Sequence, residues 1–186
     1  MKIYKLHENA TIPEFATKGS ACFDLSACFD ATTKIRTFNP HNKEIHIPVK
    51  DIRGRLGVQV QPQFRTLIPT GLIFNIPSNY MMDVHVRSSI ALKMGLTLAN
   101  NVGKIDSDYV DETFVMLYHM GDSPVTLFHG DRIAQAMLVK TNTYSLEETR
   151  RRPSVKSERN GGLGSTGLND EDQDQDQDDD DAPTEN

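Results

Sequence analysis

The sequence has no tryptophan and only two cysteines among its 186 residues. Cys22 and Cys28 lack the CxxC spacing of a redox pair, and no His and Cys stand at zinc-ligand spacing, so they read as ordinary reduced thiols. The six histidines form neither an HExxH nor an HxE followed by PCxxC, which argues against a protein-ligated zinc enzyme. No stretch approaches the roughly 18 consecutive apolar residues of a membrane helix, and Met1 to Glu8 has no apolar secretory core. The expectation is a cytoplasmic protein with no membrane partner.

Positive charge is missing altogether beyond Asn169, where ten of the 26 acidic residues gather. Residues 1 to 169 therefore hold 16 acidic against 20 basic residues, a net +4 rather than the −6 of the whole chain. A mildly basic body suits an anionic ligand such as a triphosphate, but is too weak a field to imply direct nucleic-acid binding. The run Glu171 to Asp178 has no apolar residue to offset the entropy of ordering, and a disordered acidic tail is expected over 169–186. It is either a solubilising extension or a docking segment for an unknown protein partner.

Ahead of the tail the dominant period is two. Met82 to Arg87 alternates apolar and polar residues as a half-buried strand does, and Arg65 to Pro69, Gly71 to Ile76, Thr113 to Met120, Pro124 to Phe128 and Ile133 to Val139 read the same way. Turn chemistry such as Pro-Thr-Gly and Gly-Asp-Ser-Pro separates them. Many short strands of this kind predict an all-β sandwich or jelly roll. One short helix is expected from Ser88 towards Leu98, capped by Ser88 or Ser89 and ended early by Gly95. Residues 31 to 64 suggest one or two hairpins around Ile45-His46-Ile47, with no evident role.

Four segments combine residue types suited to cleaving a phosphoanhydride, which needs a water-orienting base and donors for phosphate charge. Asp106 and Asp108 lie in a polar turn segment just before an apolar strand, where a carboxylate either faces a cleft or bonds nearby amides. Arg87-Ser88-Ser89 ends a strand and opens the helix, a place where hydroxyls, amides and a guanidinium hold an anion, or where a cap and a surface arginine stand. Gln135 follows the Gly130-Asp131-Arg132 turn on an apolar strand and needs a partner, either neighbouring backbone or a ligand. The stretch Arg159 to Gly167 has four glycines between 161 and 167, which suits backbone approach to phosphate or a plain linker.

Together with Ser20 to Leu25, these segments in this order resemble the five motifs of the trimeric dUTP pyrophosphatases, over about Lys2 to Gly167. The resemblance implies an all-β fold, a jelly-roll-like distorted barrel with one short helix and a C-terminal arm exchanged in a homotrimer with shared active sites. It divides the chain into a catalytic body (1–140, with an insertion in 31–64), an arm with a Gly-rich lid (141–168) and the tail. It implies hydrolysis of dUTP to dUMP and pyrophosphate with Mg2+ as cofactor. Asp106 would orient the attacking water and Arg159 would stabilise charge. Asn100, Gly103, Lys104 and Ile105 would read the uracil edge through the hairpin, and Tyr109 would pack beneath the sugar. Arg87, Ser88, Ser89 and Gln135 would hold the triphosphate, and Asp24 would meet the metal through water. Arg132 would pair with Asp108 to shape the site, and Leu163, Gly164 and Ser165 would belong to the lid.

Three departures from the family pattern stand out. Leu163 replaces a base-stacking aromatic residue, one residue fewer separates Arg159 from the paired glycines, and Asp111 stands where a turn glycine is common. The first two imply a looser lid. The nearest alternatives are a dCTP deaminase of the same superfamily, for which Glu112 is the acidic candidate, and a dUTP-binding regulatory protein with weak turnover.

Overall fold

The structure, a computed structural model, describes residues 1–157. Contacts divide the chain into a compact unit, Met1–Tyr144, and a second unit from Ser145 onward. Residues 145–157 contain no helix or strand. Every element discussed below lies in the first unit. Arg159, Leu163, Gly164, Ser165, the remainder of the expected lid and the acidic tail lie outside the described residues. No helix among the described residues is long and apolar enough to cross a membrane.

The body is almost wholly antiparallel β. β1 (Lys2–Lys5) pairs with β8 (Leu72–Asn75). A five-stranded sheet runs in the order β10 (Leu96–Leu98), β12 (Phe114–His119), β7 (Arg65–Pro69), β3 (Lys34–Phe38), β4 (Glu44–Pro48). A four-stranded sheet runs β11 (Gly103–Ile105), β9 (Tyr80–Val86), β14 (Arg132–Lys140), β2 (Phe23–Ser26). The last sheet is β13 (Val125–Phe128), β6 (Arg55–Val60) and β5 (Lys50–Ile52). Inward residues of these strands form one core, with Leu25, Val60, Ile68, Met82, Leu96, Val115, Leu117, Leu127 and Ile133 all closed to solvent. In β12 the alternation is complete, Val115, Leu117 and His119 turning inward and Phe114 and Met116 outward.

The six expected strands appear within one or two residues of their anticipated ends. The segment 31–64 resolves into two hairpins, β3–β4 and β5–β6, the second turning on Arg53 and Gly54, both left-handed. The helix α1 (Ser88–Met94) ends at left-handed Gly95 (φ 62) as expected, and the alternately buried Leu96 and Leu98 form a strand that pairs with β12, which was not anticipated. One expectation needs correction. The N-cap of α1 is Arg87, in extended conformation and with no side-chain cap bond, so neither Ser88 nor Ser89 is used as a cap.

Gly71 shows why one turn tolerates no substitution. Its φ is +68, and a Cβ there would lie 2.8 Å from both Ala10 Cβ and Cys28 Sγ. Gly71→Ala is expected to lower stability by about 2–4 kcal/mol through combined backbone strain and overpacking, measured by denaturant unfolding. A second expectation concerns acid. Asp30 accepts hydrogen bonds from the Thr32 amide and hydroxyl and the Thr33 hydroxyl, which pull its pKa from 3.8 down to about 2. A carboxylate with a depressed folded pKa stabilises the fold above its unfolded value and loses that contribution as pH falls through the lowered one. Asp30→Asn should therefore flatten the wild-type loss of stability between pH 3.8 and about 2, as read from melting temperatures across that range.

Candidate active site

The strand β14 is bonded on both flanks, with Gln135 opposite His85 of β9 on one side and Asp24 of β2 on the other. These three side chains share one face of the sheet. Arg87 continues that face, because its backbone is still extended (φ −80, ψ 139) where the strand gives way to α1. A register shift in β14 between Arg132 and Ala134 re-aims Arg132 towards the same place. The preceding turn is set by left-handed Gly130 and by Asp131, whose carboxylate accepts the Phe128 amide at 2.8 Å.

The result is a cavity of about 360 Å3 lined by Asp24, Arg87, Ser88, Ser89, Arg132, Gln135 and the 20–22 segment. Arg87 Nε lies 2.8 Å from Asp24 Oδ1 and Arg132 Nη1 3.0 Å from Asp24 Oδ2. Arg87 Nη1 also donates to the Arg132 carbonyl at 3.1 Å. Two guanidiniums on one carboxylate leave a net positive charge, at a helix start whose first amides have no intrahelical acceptor. Gln135 spends one N–H on the Val86 carbonyl (3.2 Å) and keeps the other. The backbone-bonding and ligand-facing readings of this glutamine are thus compatible. Arg132 does not pair with Asp108 in this chain: the β14 bulge puts its guanidinium on Asp24 instead.

A second cavity, about 240 Å3, lies at the other edge of the same sheet. Asn100, Gly103, Lys104, Ile105, Asp106 and Tyr109 line it together with apolar residues including Val84, Leu98, Phe114 and Met116. Left-handed Asn101 (φ 60) turns the chain from β10 into β11. Gly103 leaves room beside it, since a Cβ there would sit 3.2 Å from Val84 Cβ and 3.6 Å from the Asn100 amide nitrogen. Lys104 points its ammonium elsewhere, 2.7 Å from both carboxylate oxygens of Asp83, so the hairpin offers its main chain to this cavity. Asp111 needs no left-handed conformation, which removes any strain from the missing glycine.

Tyr109 donates its hydroxyl to the Glu112 carbonyl at 2.8 Å, and burial together with the charges of Asp111 and Glu112 pushes its pKa up. Asp106 is exposed, and neither its carboxylate nor that of Asp108 accepts a hydrogen bond among the described residues. These are not turn aspartates satisfied by nearby amides. Glu112 lies off this cavity. Its carboxylate accepts the Gly71 amide at 2.7 Å and lines a separate space of about 450 Å3.

Comparison with known proteins bears directly on this arrangement. The dUTPase family profile matches residues 51–167. A deoxyuridine 5'-triphosphate nucleotidohydrolase of Dinoroseobacter shibae is 40% identical over 86% of this chain and 90% of its own length. The chain belongs to the dUTPase family. A relative of the same name from Desulfotalea psychrophila is 35% identical over 87% of the chain and 90% of its own. Among solved structures, the dUTPase of Staphylococcus bacteriophage 80alpha, with dUpNHpp, aligns over 90% of this chain and 98% of its own (TM-score 0.67, 20% identity). That of Streptococcus mutans aligns over 75% and 91% (TM-score 0.57, 23% identity). A dUTPase of phage phi11 of S. aureus, described with a structural Mg(II) ion, aligns over 82% and 98% (TM-score 0.62, 19% identity). The jelly-roll-like β fold expected from the sequence is the fold of this chain.

Sequence reasoning did not find the apolar lining of the smaller cavity, because Val84, Leu98 and Phe114 read as ordinary strand residues. Ser20, Ala21 and Cys22, which the sequence placed in one motif with Asp24 but gave no role, line the larger one. Removing Arg87 should expose the electrostatic content of the basic cavity. Arg87→Ala is expected to weaken pyrophosphate binding at least about tenfold by calorimetry, the range for a hydrogen bond to a charged group.

Proposed function

We propose that the protein hydrolyses dUTP to dUMP and pyrophosphate. Family membership carries the reaction class, and the unpartnered Asp106 carboxylate beside a small cavity carries the assignment of the base. At about 240 Å3 that cavity is below the roughly 300–1,000 Å3 of drug-sized sites, which suits a nucleoside rather than a triphosphate. Uracil is read by Asn100 and the main chain of Gly103 to Asp106, and Tyr109 packs under the deoxyribose where a 2′-hydroxyl would clash. Arg87, Ser88, Ser89 and Gln135 hold phosphate in the basic cavity, with Arg132 held beside them through Asp24. Asp106 accepts a proton from the water it aims at the α-phosphorus. Arg159 and the Leu163 to Ser165 lid complete the site by resemblance.

The two cavities share no lining residue, which supports a homotrimer in which the nucleoside cavity of one subunit meets the phosphate cradle of another. Magnesium fits the donor set in a particular way. Among the described residues no group of three or more His, Cys, Asp or Glu could form a protein cage. Asp24 still has lone pairs beyond those given to the two arginines, enough for a water-mediated contact with an ion carried mainly by phosphate oxygens. Such an ion supplies neutralisation of phosphate charge. The reaction removes dUTP from the pool open to DNA synthesis and provides dUMP, in the cytoplasm.

The dCTP deaminase alternative is not favoured, since Glu112 faces a different cavity and is engaged by Gly71. Asp106→Asn is expected to cut pyrophosphate release from dUTP by about 10²- to 10⁴-fold, the usual share of general-base catalysis, while dUTP binding is kept. Ammonia released from dCTP, or wild-type protein that binds dUTP without releasing pyrophosphate, would overturn the assignment.

A further inference from the structure

We infer that Glu112 is a positioning residue, which fastens the loop bearing Asp106 and Tyr109 to the turn between β7 and β8 and so sets discrimination against a 2′-hydroxyl. The kinetic part of this inference rests on the hydrolase reading above. Residues 106–113 leave the four-stranded sheet at the end of β11 and join the five-stranded sheet at β12. Within the loop the backbone supplies one turn bond, Tyr109 N–H to the Asp106 carbonyl at 3.2 Å. Residue 112 is the tie to the body nearest Tyr109, and it acts in two directions. Its side chain accepts the Gly71 amide at 2.7 Å, and its main-chain carbonyl accepts the Tyr109 hydroxyl at 2.8 Å.

The anchor point is rigid for reasons already described. Gly71 is left-handed and has Ala10 and Cys28 packed where a side chain would be, and its own carbonyl accepts the Leu6 amide at 2.8 Å. Thr113 continues the attachment, its N–H donating to the Leu72 carbonyl at 2.8 Å and its carbonyl accepting the Thr70 hydroxyl at 2.6 Å. The ring position of Tyr109 is therefore referred, through Glu112, to the packed turn. Burial pushes the Glu112 pKa up, with the Gly71 bond and His7 acting against it. A half-buried carboxylate bonded to a fixed amide costs desolvation, and the anchoring supplies a reason for it.

Acceptance of an N–H does not require charge, so Glu112→Gln should preserve the anchor and Glu112→Ala should remove it. Three quantities separate a positioning role from a purely structural one: kcat/KM for dUTP, the dUTP-to-UTP ratio of kcat/KM per folded protein, and hydrogen exchange in the 106–113 segment. We expect Glu112→Ala to lower kcat/KM for dUTP about tenfold or more, shrink the dUTP-to-UTP ratio and accelerate exchange, with Glu112→Gln within about threefold of wild type throughout. If Glu112→Ala fails to fold, Glu112→Asp, too short to reach Gly71, is read by the same measures. A variant that loses thermal stability but keeps both the wild-type ratio and wild-type exchange overturns the inference. If wild-type protein releases no pyrophosphate from dUTP, the hydrolase reading falls, and the exchange measurement alone decides whether Glu112 anchors the loop.

Discussion

The double-sided pairing of β14 is the constraint on which the rest of the body depends. A nine-residue strand bonded to β9 along one edge and β2 along the other cannot slip without moving every inward side chain to the wrong face. Ile133, Ala134 and Ala136 are fully buried on it, so the register is specified by packing. Once that register is fixed, Asp24, Gln135 and His85 fall into one row, and Arg87 and Arg132 arrive at its end. The basic cavity is thus a consequence of strand pairing with one local adjustment, the bulge after Arg132. Polar chemistry sits where the sheet's own hydrogen bonds run out.

The second cavity follows a different logic. It is made at the far edge of the same sheet, where β11 is only three residues long and the chain on either side of it is loop. Such loops gain precision only from fixed points. Here these are the Asn101 turn, the space kept open by Gly103, and the stitches from Thr113 and Glu112 to the Gly71 turn. A rigid sheet at one cavity and a pinned loop at the other give the two halves different tolerance to change.

Much of this was legible in the residues because period-two alternation is a strong signal when one face is buried. The strands from Arg65 onward could be read directly, and so could the end of the helix at Gly95. What escaped had physical reasons. β10 was hidden inside the helix expectation, because three residues are too few to show a period and Leu96 to Leu98 suits either state. The N-cap was misassigned since serines usually serve there, whereas the extended Arg87 backbone does so without a side-chain bond. The pairing of Arg132 with Asp24 joins residues 108 positions apart, and no local pattern encodes a bulge that redirects one side chain. The order of short motifs led to the family, while composition around any one of them allowed a turn, a cap or a linker.

Asp24 merits a different description from that of a residue beside a metal. Two guanidiniums gathered at one cavity would repel, and in solution an anion would have to draw them together while ordering both long side chains. The carboxylate between them does this before any ligand arrives, holding each at hydrogen-bond distance. It lowers the cavity's net charge by one and in exchange removes most of the reorganisation from binding. The cradle is in this sense a cocked arrangement: weaker in total field than two free arginines, but already in the shape that its anion requires.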